Sequence, residues 1–247
     1  MKNNVKLIIG YYIVFISYWI LEFQVFDRYF DERLSSIFSH AYLYFVASPV
    51  FVYVISKNNI KKSGKKSLKI NTYISILILQ SGLSVGVLKI FSIIEKVDNT
   101  DINVTIGFVD LFALLLIAPI FEELLYRRII LNSLEMEKMQ AIICSALLFA
   151  SVHLISQGFK QVCYTMILGV IWGYLATEGV GIKKLIFFHS FSNLWGYILP
   201  ITLHKYSNFF EKLFNVISGM IIPILAFIIL GCLVDKSQKS RKFIKIK

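Results

Sequence analysis

The sequence predicts an all-α membrane protein, a polytopic helical bundle of about eight transmembrane helices. Its 247 residues are 57% hydrophobic and 17% charged, and the mean hydropathy is +0.69. Soluble domains carry about 25% charged residues and about 45–50% apolar ones. The apolar residues also fall into runs close to the ~20 residues that a helix needs to cross a bilayer core. These observations exclude an ordinary soluble protein.

Eight apolar runs are the expected spans, at 5–22, 38–56, 71–94, 104–127, 138–156, 161–178, 183–203 and 212–234. The first run is long and rich in aromatic residues, and no small-residue cleavage pattern follows it, so we interpret it as a span and not as a signal peptide. Three cysteines fall in different spans without C-x-x-C spacing, which argues against a thiolate metal site.

The lysine-rich segment KKSGKKSLK, at 61–69, divides the predicted domains. Residues 1–69 are expected to form a two-helix hairpin with a basic cytoplasmic loop, 70–235 a helical core, and 236–247 a basic cytoplasmic tail. Within the core, Gly169 and Gly173 of LGVIWG have the spacing that lets helix backbones approach closely. We expect them to pack and assign them no chemistry.

The net charge of +11 is concentrated in that loop and tail. Lysine and arginine beside spans mark the cytoplasmic side of a membrane. Counting spans alternately places both basic segments on one side and the acidic loops near 27–32 and 95–101 on the other, so both termini are predicted to be cytoplasmic. The basic segments are expected to face anionic lipid headgroups, and no nucleic-acid partner is predicted.

The fourth span ends in APIFEELLYRRI, where four charges follow an apolar run. A charged side chain at the centre of a membrane helix costs about 2.5–3.5 kcal/mol on insertion scales. Glu123 and Arg127 are four residues apart in the order that favours an ion pair on one face. Glu122 is turned about 100° away and needs another partner or a proton. Pro119 removes a backbone donor, which predicts a kink and space for water beside the carboxylates.

Two histidines and an amide are predicted to join Glu122 in a polar cavity. His153 ends FASVH in the fifth span, and HSFSN in the seventh span contains His189 and, one turn later, Asn193. This set suits hydrolysis, with Glu122 as general base, His153 holding the same water, and donors from the other two side chains stabilising the oxyanion. Counting residues along the spans does not place His153 level with Glu122. The fifth span therefore starts later, tilts or is broken, and the sequence does not choose among these.

The three polar motifs resemble those of the CAAX protease and bacteriocin-processing family, also called the Abi family. EELLYR is similar to the family's E-E-x-x-x-R, FASVH to its F-x-x-x-H, and HSFSN to its H-x-x-x-N, in family order and over roughly residues 104 to 200. The resemblance implies an eight-helix intramembrane glutamate protease that opens to the cytoplasm. No cofactor and no metal are predicted.

By motif position, the resemblance makes Glu122 the residue that activates water and His153 its partner. It assigns His189 and Asn193 to the oxyanion site, while Glu123 and Arg127 organise the centre. The implied substrate is a membrane-associated peptide or a lipidated protein tail. An isoleucine-, lysine- and asparagine-rich composition is typical of a low-GC bacterium, which favours bacteriocin or pheromone processing or self-immunity in a bacterial cell membrane. The oligomeric state is not predicted.

Two alternatives stay open at the level of sequence. Glu122, Glu123, His153 and His189 are also a donor set that suits zinc, which would make the protein a metal-dependent membrane hydrolase. H-E-x-x-H is absent, which excludes a zinc protease of that type. The other alternative is a transporter or immunity scaffold without catalysis, whose polar residues bind a peptide or relay protons.

Overall fold

The computed structural model describes residues 2–55, 68–95 and 107–199, with six isolated positions between 213 and 228. The three continuous stretches contain seven helices, several of which include wide, π-helical turns. Their bounds are α1, Lys2–Leu21 followed by Glu22–Phe26 and Asp27–Tyr29; α2, Glu32–Tyr42 followed by Leu43–Ala47 and Ser48–Ile55; α3, Ile70–Glu95; α4, Phe108–Phe112 followed by Ala113–Ile117, Ala118–Glu123, Leu124–Ile130 and Leu131–Ser133; α5, Lys138–Ser151; α6, His153–Thr177; and α7, Ile182–Asn193 followed by Leu194–Ile198.

The described helices confirm the all-α membrane class. Asn3–Tyr29, Leu34–Val54 and Gly158–Thr177 are long and apolar enough to cross a bilayer by length and composition. The seven helices follow the first seven predicted spans in order, while most of the eighth, 212–234, lies outside the described residues. The number of eight spans and the side of the termini stay predictions.

The fifth predicted span is too long at its C-terminal end. Helix α5 has 14 residues and ends at Ser151, which makes it about 21 Å long at 1.5 Å per residue. Helix α6 begins at His153 and is interrupted at Gly158, where φ is 78° and ψ is 179°. The fifth span is therefore broken, one of the alternatives that the sequence left open, and His153 lies at the break.

Helices α5 and α6 pack closely at the two glycines that the spacing selected. A Cβ atom added to Gly169 would lie 3.0 Å from the Cβ of Ala146, and one added to Gly173 would lie 3.2 Å from Cγ2 of Ile142. The contacts on α5 move toward its N-terminus as those on α6 move toward its C-terminus, so the two helices are antiparallel. The pair carries His153 at its turn.

The N-terminal helix packs on the core. Asn4 donates through Nδ2 to the carbonyl of Glu135 at 3.1 Å and accepts from the backbone N–H of Glu135 at 2.8 Å. Nearer the middle of α1, the hydroxyl of Tyr11 lies 2.8 Å from the hydroxyl of Tyr126 in α4. Helix α1 is thus tied to the helix that carries the two glutamates.

Candidate active site

Helix α4 widens on both sides of the adjacent glutamates. The first wide turn is Ala113–Ile117, just before Pro119, and the second is Leu124–Ile130, just after Glu123. Wide turns inside α-helices change the angular position of the side chains that follow, and they occur frequently at functional sites. The segment with Glu122 is therefore a short α-helical piece held between two irregular ones.

Two side chains of α7 donate hydrogen bonds to carbonyls of α4 that lack a backbone donor near the proline. Pro119 has no N–H for the carbonyl of Leu115, four residues earlier. The N–H of Ala118, just before the proline, donates to the carbonyl of Ala113. The carbonyl of Leu114, four residues before Ala118, therefore also lacks its usual backbone donor. The hydroxyl of Ser190 has two acceptors for its one hydrogen, Leu115 O at 2.7 Å and Ile186 O of its own helix at 2.9 Å. Asn193 donates through Nδ2 to Leu114 O at 2.8 Å. These bonds fix α7 against α4 beside the carboxylates.

His189 joins both glutamates. Its Nδ1 lies 3.0 Å from Oε1 of Glu123, and its Nε2 lies 3.6 Å from Oε2 of Glu122. Oε2 of Glu123 lies 3.4 Å from Nε of Arg127, which is the pair that their spacing indicated. The side chains of Glu123 and Arg127 are fully buried, whereas that of Glu122 is 20% exposed. The partner that Glu122 requires is thus an imidazole on another helix.

Aromatic rings enclose this cluster. The indole of Trp172 stacks on the imidazole of His189 with ring centroids 4.6 Å apart, and the ring of Phe149 meets that imidazole edge-on at 5.8 Å. The guanidinium carbon of Arg127 lies 4.7 Å from the centroid of Phe149. A cation over a ring face is stabilised by the ring quadrupole, and more so away from water. The rings hold the histidine and the arginine in place.

Gln80 of α3 supports the same cluster from a second layer. Its Oε1 accepts from Nε1 of Trp172 at 3.3 Å, and its Nε2 donates to the carbonyl of Phe188 at 3.0 Å. Gln80 is completely buried. Sequence reasoning missed this residue, although a glutamine within the apolar run ILILQSGLS was an available signal.

His153 has its tautomer set by the backbone. Its Nδ1 lies 3.0 Å from the carbonyl oxygen of Phe149. Because a carbonyl only accepts, Nδ1 carries the hydrogen, and Nε2 of the neutral ring is an acceptor. The Phe149 ring also meets the imidazole edge-on at 5.3 Å, one turn earlier in sequence as the motif suggested.

Glu122 and His153 line one cavity of about 100 Å³. The break after α5 thus places His153 at the same cavity as Glu122, which a simple residue count did not predict. The N-terminal hairpin supplies much of the remaining wall, through Phe15 and Tyr18 of α1 and His40, Leu43, Tyr44 and Ser48 of α2. Tyr126 of α4 lines it too. Sequence reasoning assigned none of these side chains to the site.

The donor set for zinc does not assemble. Among the residues that the structure describes, no three His, Cys, Asp or Glu side chains converge so as to hold a metal ion. Glu123 is instead engaged by Arg127 and His189. Cys144 and Cys163 are free thiols on neighbouring helices, and Cys232 lies outside the described residues.

Comparison with protein-family models finds a match over residues 104–195, described as type II CAAX prenyl endopeptidase Rce1-like. The matched stretch includes α4 to Asn193 of α7 and contains every predicted site residue. Comparisons with curated proteins and with solved structures give no match. This match confirms the resemblance drawn from the three motifs: residues 104–195 of this helical membrane protein are similar to the Rce1-like model of type II CAAX prenyl endopeptidases.

Proposed function

We propose that this protein is a glutamate-dependent intramembrane endopeptidase that cleaves membrane-associated peptides or protein tails. The observation that carries the proposal is the meeting of Glu122 and His153, from α4 and the α5–α6 break, at one cavity of about 100 Å³. A cavity of that size with polar partners holds water. The Rce1-like domain supports the endopeptidase class.

The first step is attack by water on the scissile carbonyl carbon. Glu122 takes one proton from the water as general base, and Nε2 of His153 accepts a hydrogen bond from the other hydrogen, which stays on the water oxygen. With both hydrogens directed at the protein, a lone pair of the water oxygen faces the carbonyl. The new C–O bond forms as the carbonyl π electrons move to oxygen, which gives a tetrahedral oxyanion.

His189 and Asn193 stabilise that oxyanion in the proposed mechanism. Each ring nitrogen of His189 faces a carboxylate oxygen, Nδ1 that of Glu123 at 3.0 Å and Nε2 that of Glu122 at 3.6 Å, and the proposed mechanism uses a hydrogen on Nε2 as a donor to the oxyanion. The amide of Asn193 carries two hydrogens, and the bond to Leu114 uses one of them. Donors fixed in advance stabilise developing charge most strongly in a site that excludes water.

Collapse of the intermediate completes hydrolysis. The proton that Glu122 took from water passes to the leaving amide nitrogen, the C–N bond breaks, and the products are a carboxylic acid and an amine. Glu123 and Arg127 organise the centre, because their ion pair holds Nδ1 of His189 and fixes the orientation of its ring.

The proposed setting is a bacterial cell membrane, with both termini and the site opening on the cytoplasmic side. The support is the position of the basic loop and tail relative to the acidic loops, which follows the positive-inside pattern. Candidate substrates are lipidated protein tails and bacteriocin or pheromone precursors, and self-immunity is the corresponding biological role.

The test compares the wild-type protein with Glu122→Gln in liposomes, using a library of lipidated and unlipidated peptides read by mass spectrometry. Gln keeps the volume of the side chain and removes the ionisable group. Glu137→Gln is the matched control, since Glu137 is exposed. We expect specific fragments from the wild type and the control and none from Glu122→Gln.

Two other results would redirect the assignment. Cleavage that a chelator abolishes and zinc restores favours the metal-dependent hydrolase, whereas full cleavage in chelator removes it. Absence of cleavage by the wild type favours a transporter or immunity scaffold.

A further inference from the structure

Two tyrosines form a buried hydroxyl pair beside the cavity. Tyr126 lies one helical turn after Glu122 and lines the same cavity. Its hydroxyl is 2.8 Å from that of Tyr11, which belongs to α1 and lies outside the family match. Both side chains are 1% exposed. The mechanism above uses neither of them.

The hydrogen bond between the two tyrosine hydroxyls has a fixed donor. The hydroxyl of Tyr11 donates to the carbonyl of Leu148 at 2.5 Å. Each phenol has one hydrogen to give, so the hydrogen of the pair's own bond comes from Tyr126. The oxygen of Tyr126 then has only lone pairs left, and it can serve a further partner only as an acceptor.

A peptide substrate brings donors that need such an acceptor. Inside a membrane, each backbone N–H away from water must find a partner in the protein, since an unsatisfied one is costly. Glu122 and Nε2 of His153 are occupied by the attacking water in the proposed mechanism. Tyr126 also lines the cavity, and its hydroxyl oxygen is a third acceptor among the lining side chains nearest to Glu122 in sequence.

We propose that Tyr126 is a further catalytic residue, which binds the substrate by accepting a hydrogen bond from a backbone N–H next to the scissile bond. Tyr11 is a positioning residue that acts through Tyr126, because it takes the Tyr126 hydrogen and so keeps that oxygen an acceptor. This inference rests on the proposed function and assigns the binding of the peptide backbone within the same cavity.

Tyr126→Phe removes the acceptor and keeps the ring. We expect kcat/KM to fall by about 5- to 100-fold, the effect of leaving a buried donor without a partner, with the melting temperature in detergent little changed. Tyr12→Phe is the matched control, since Tyr12 neighbours Tyr11 on α1 and is 38% exposed. Tyr11→Phe should lower kcat/KM less, and the double variant should equal Tyr126→Phe alone. Effects that multiply in the double variant would overturn the role given to Tyr11.

The substrate supplies the sharper test. A series of peptides is made in which one backbone N–H at a time is replaced by an ester oxygen. At one position beside the scissile bond, we expect the wild type to cleave the ester peptide more slowly than the amide peptide. At that position Tyr126→Phe should cleave the ester and the amide equally. Tyr126→Phe that lowers activity equally on every peptide in the series would show a structural role and overturn the proposal. If Tyr126→Phe does not fold, Tyr11→Phe is measured on the same peptides, and its effect must vanish at one position.

Glu122→Gln separates this inference from the proposed function. If wild type and Glu122→Gln behave alike, the proposed function fails and the inference fails with it. If Glu122→Gln abolishes cleavage while Tyr126→Phe cleaves like the wild type, only the inference is overturned.

Discussion

At the scale of single residues, the buried pair of Glu123 and Arg127 sets the geometry of the site. Each charge is compensated by the other, and Oε1 of Glu123 is left to hold His189. The rings around Arg127 supply van der Waals contact and a negative face to the guanidinium. Removal of one partner leaves the other charge buried without compensation, which is far more costly than the loss of an exposed pair.

Arg127→Met should therefore destabilise the protein by about 3–5 kcal/mol. Thermal unfolding in detergent measures the effect, and Arg128→Met is the control, because Arg128 is adjacent and partly exposed. Combining Arg127→Met with Glu123→Gln should restore part of the stability, since no unpaired carboxylate remains. Equal melting temperatures for the two arginine variants would show that the pair contributes little.

The sequence predicted the contact between Glu123 and Arg127 but not the contacts of Glu122 and Asn193. Helical spacing was sufficient for Glu123 and Arg127, because both lie on one helix. The partner of Glu122 depends on how α7 packs on α4, and the partner of Asn193 is a carbonyl that becomes free only through the wide turn before Pro119. Spacing within one helix carries no information about either contact.

At the scale of helices, a serine in α7 compensates for the backbone donor that a proline removes from α4. Pro119 leaves the carbonyl of Leu115 without its usual backbone donor, and Ser190 supplies one at 2.7 Å. Interhelical bonds of this kind satisfy backbone groups that a break in a membrane helix exposes. The compensation connects the wide turn before Pro119 in α4 to the position of His189, one residue before the serine.

Ser190→Ala should cost about 1–3 kcal/mol, because it removes the hydroxyl donor from the partly buried carbonyl of Leu115. The same substitution in a Pro119→Ala background should cost much less, since residue 119 then has an N–H for Leu115. A double-mutant cycle of unfolding free energies measures the coupling. Additive effects would mean that Ser190 does not compensate for the proline.

The α5–α6 pair offers a test of close packing with a matched control. Gly169→Ala places a Cβ atom 3.0 Å from Ala146 Cβ and 3.2 Å from Phe149 Cδ1, so one of these groups must move. Overpacking typically costs about 1–3 kcal/mol. Cleavage should fall as well, because the Phe149 ring contacts both His153 and His189.

Gly86→Ala is the control, because a Cβ atom there meets nothing within 4 Å. Alanine in a helix is favoured over glycine by roughly 0.5–1 kcal/mol, so this variant should be as stable as the wild type or more so. A lower melting temperature for Gly86→Ala than for Gly169→Ala would contradict close packing as the cause.

Helix order and the glycine contacts were predictable because apolar runs and small-residue spacing are local properties of the chain. The end of α5 was not, since the apolar run continues past Ser151 and only the positive φ at Gly158 interrupts the helix that follows. Glycine permits that conformation without requiring it. The wide turns in α4 were equally hidden, because π and α turns accept the same apolar residues.

At the scale of the whole molecule, the cavity is formed by two parts of the chain that the sequence separated. The family match covers residues 104–195, yet α1 and α2 supply much of the wall that faces Glu122 and His153. Tyr44 of α2 stacks on Phe121 of α4 with ring centroids 4.9 Å apart. The motifs singled out Glu122 and His153, whereas the shape of the cavity beside them depends on the hairpin.

Ser48→Phe fills that space from the hairpin without changing the matched domain. Ser48 is 7% exposed and lines the cavity. We expect a phenyl group at this position to occupy the cavity. We expect cleavage to fall at least about tenfold, which corresponds to about 1.4 kcal/mol in the barrier, while the melting temperature holds. Val50→Phe is the control, since Val50 is 57% exposed on the same helix. Wild-type rates for Ser48→Phe on every peptide would show that substrates reach Glu122 from another direction, and the hairpin would then be a support for the helical core and not a wall of the substrate site.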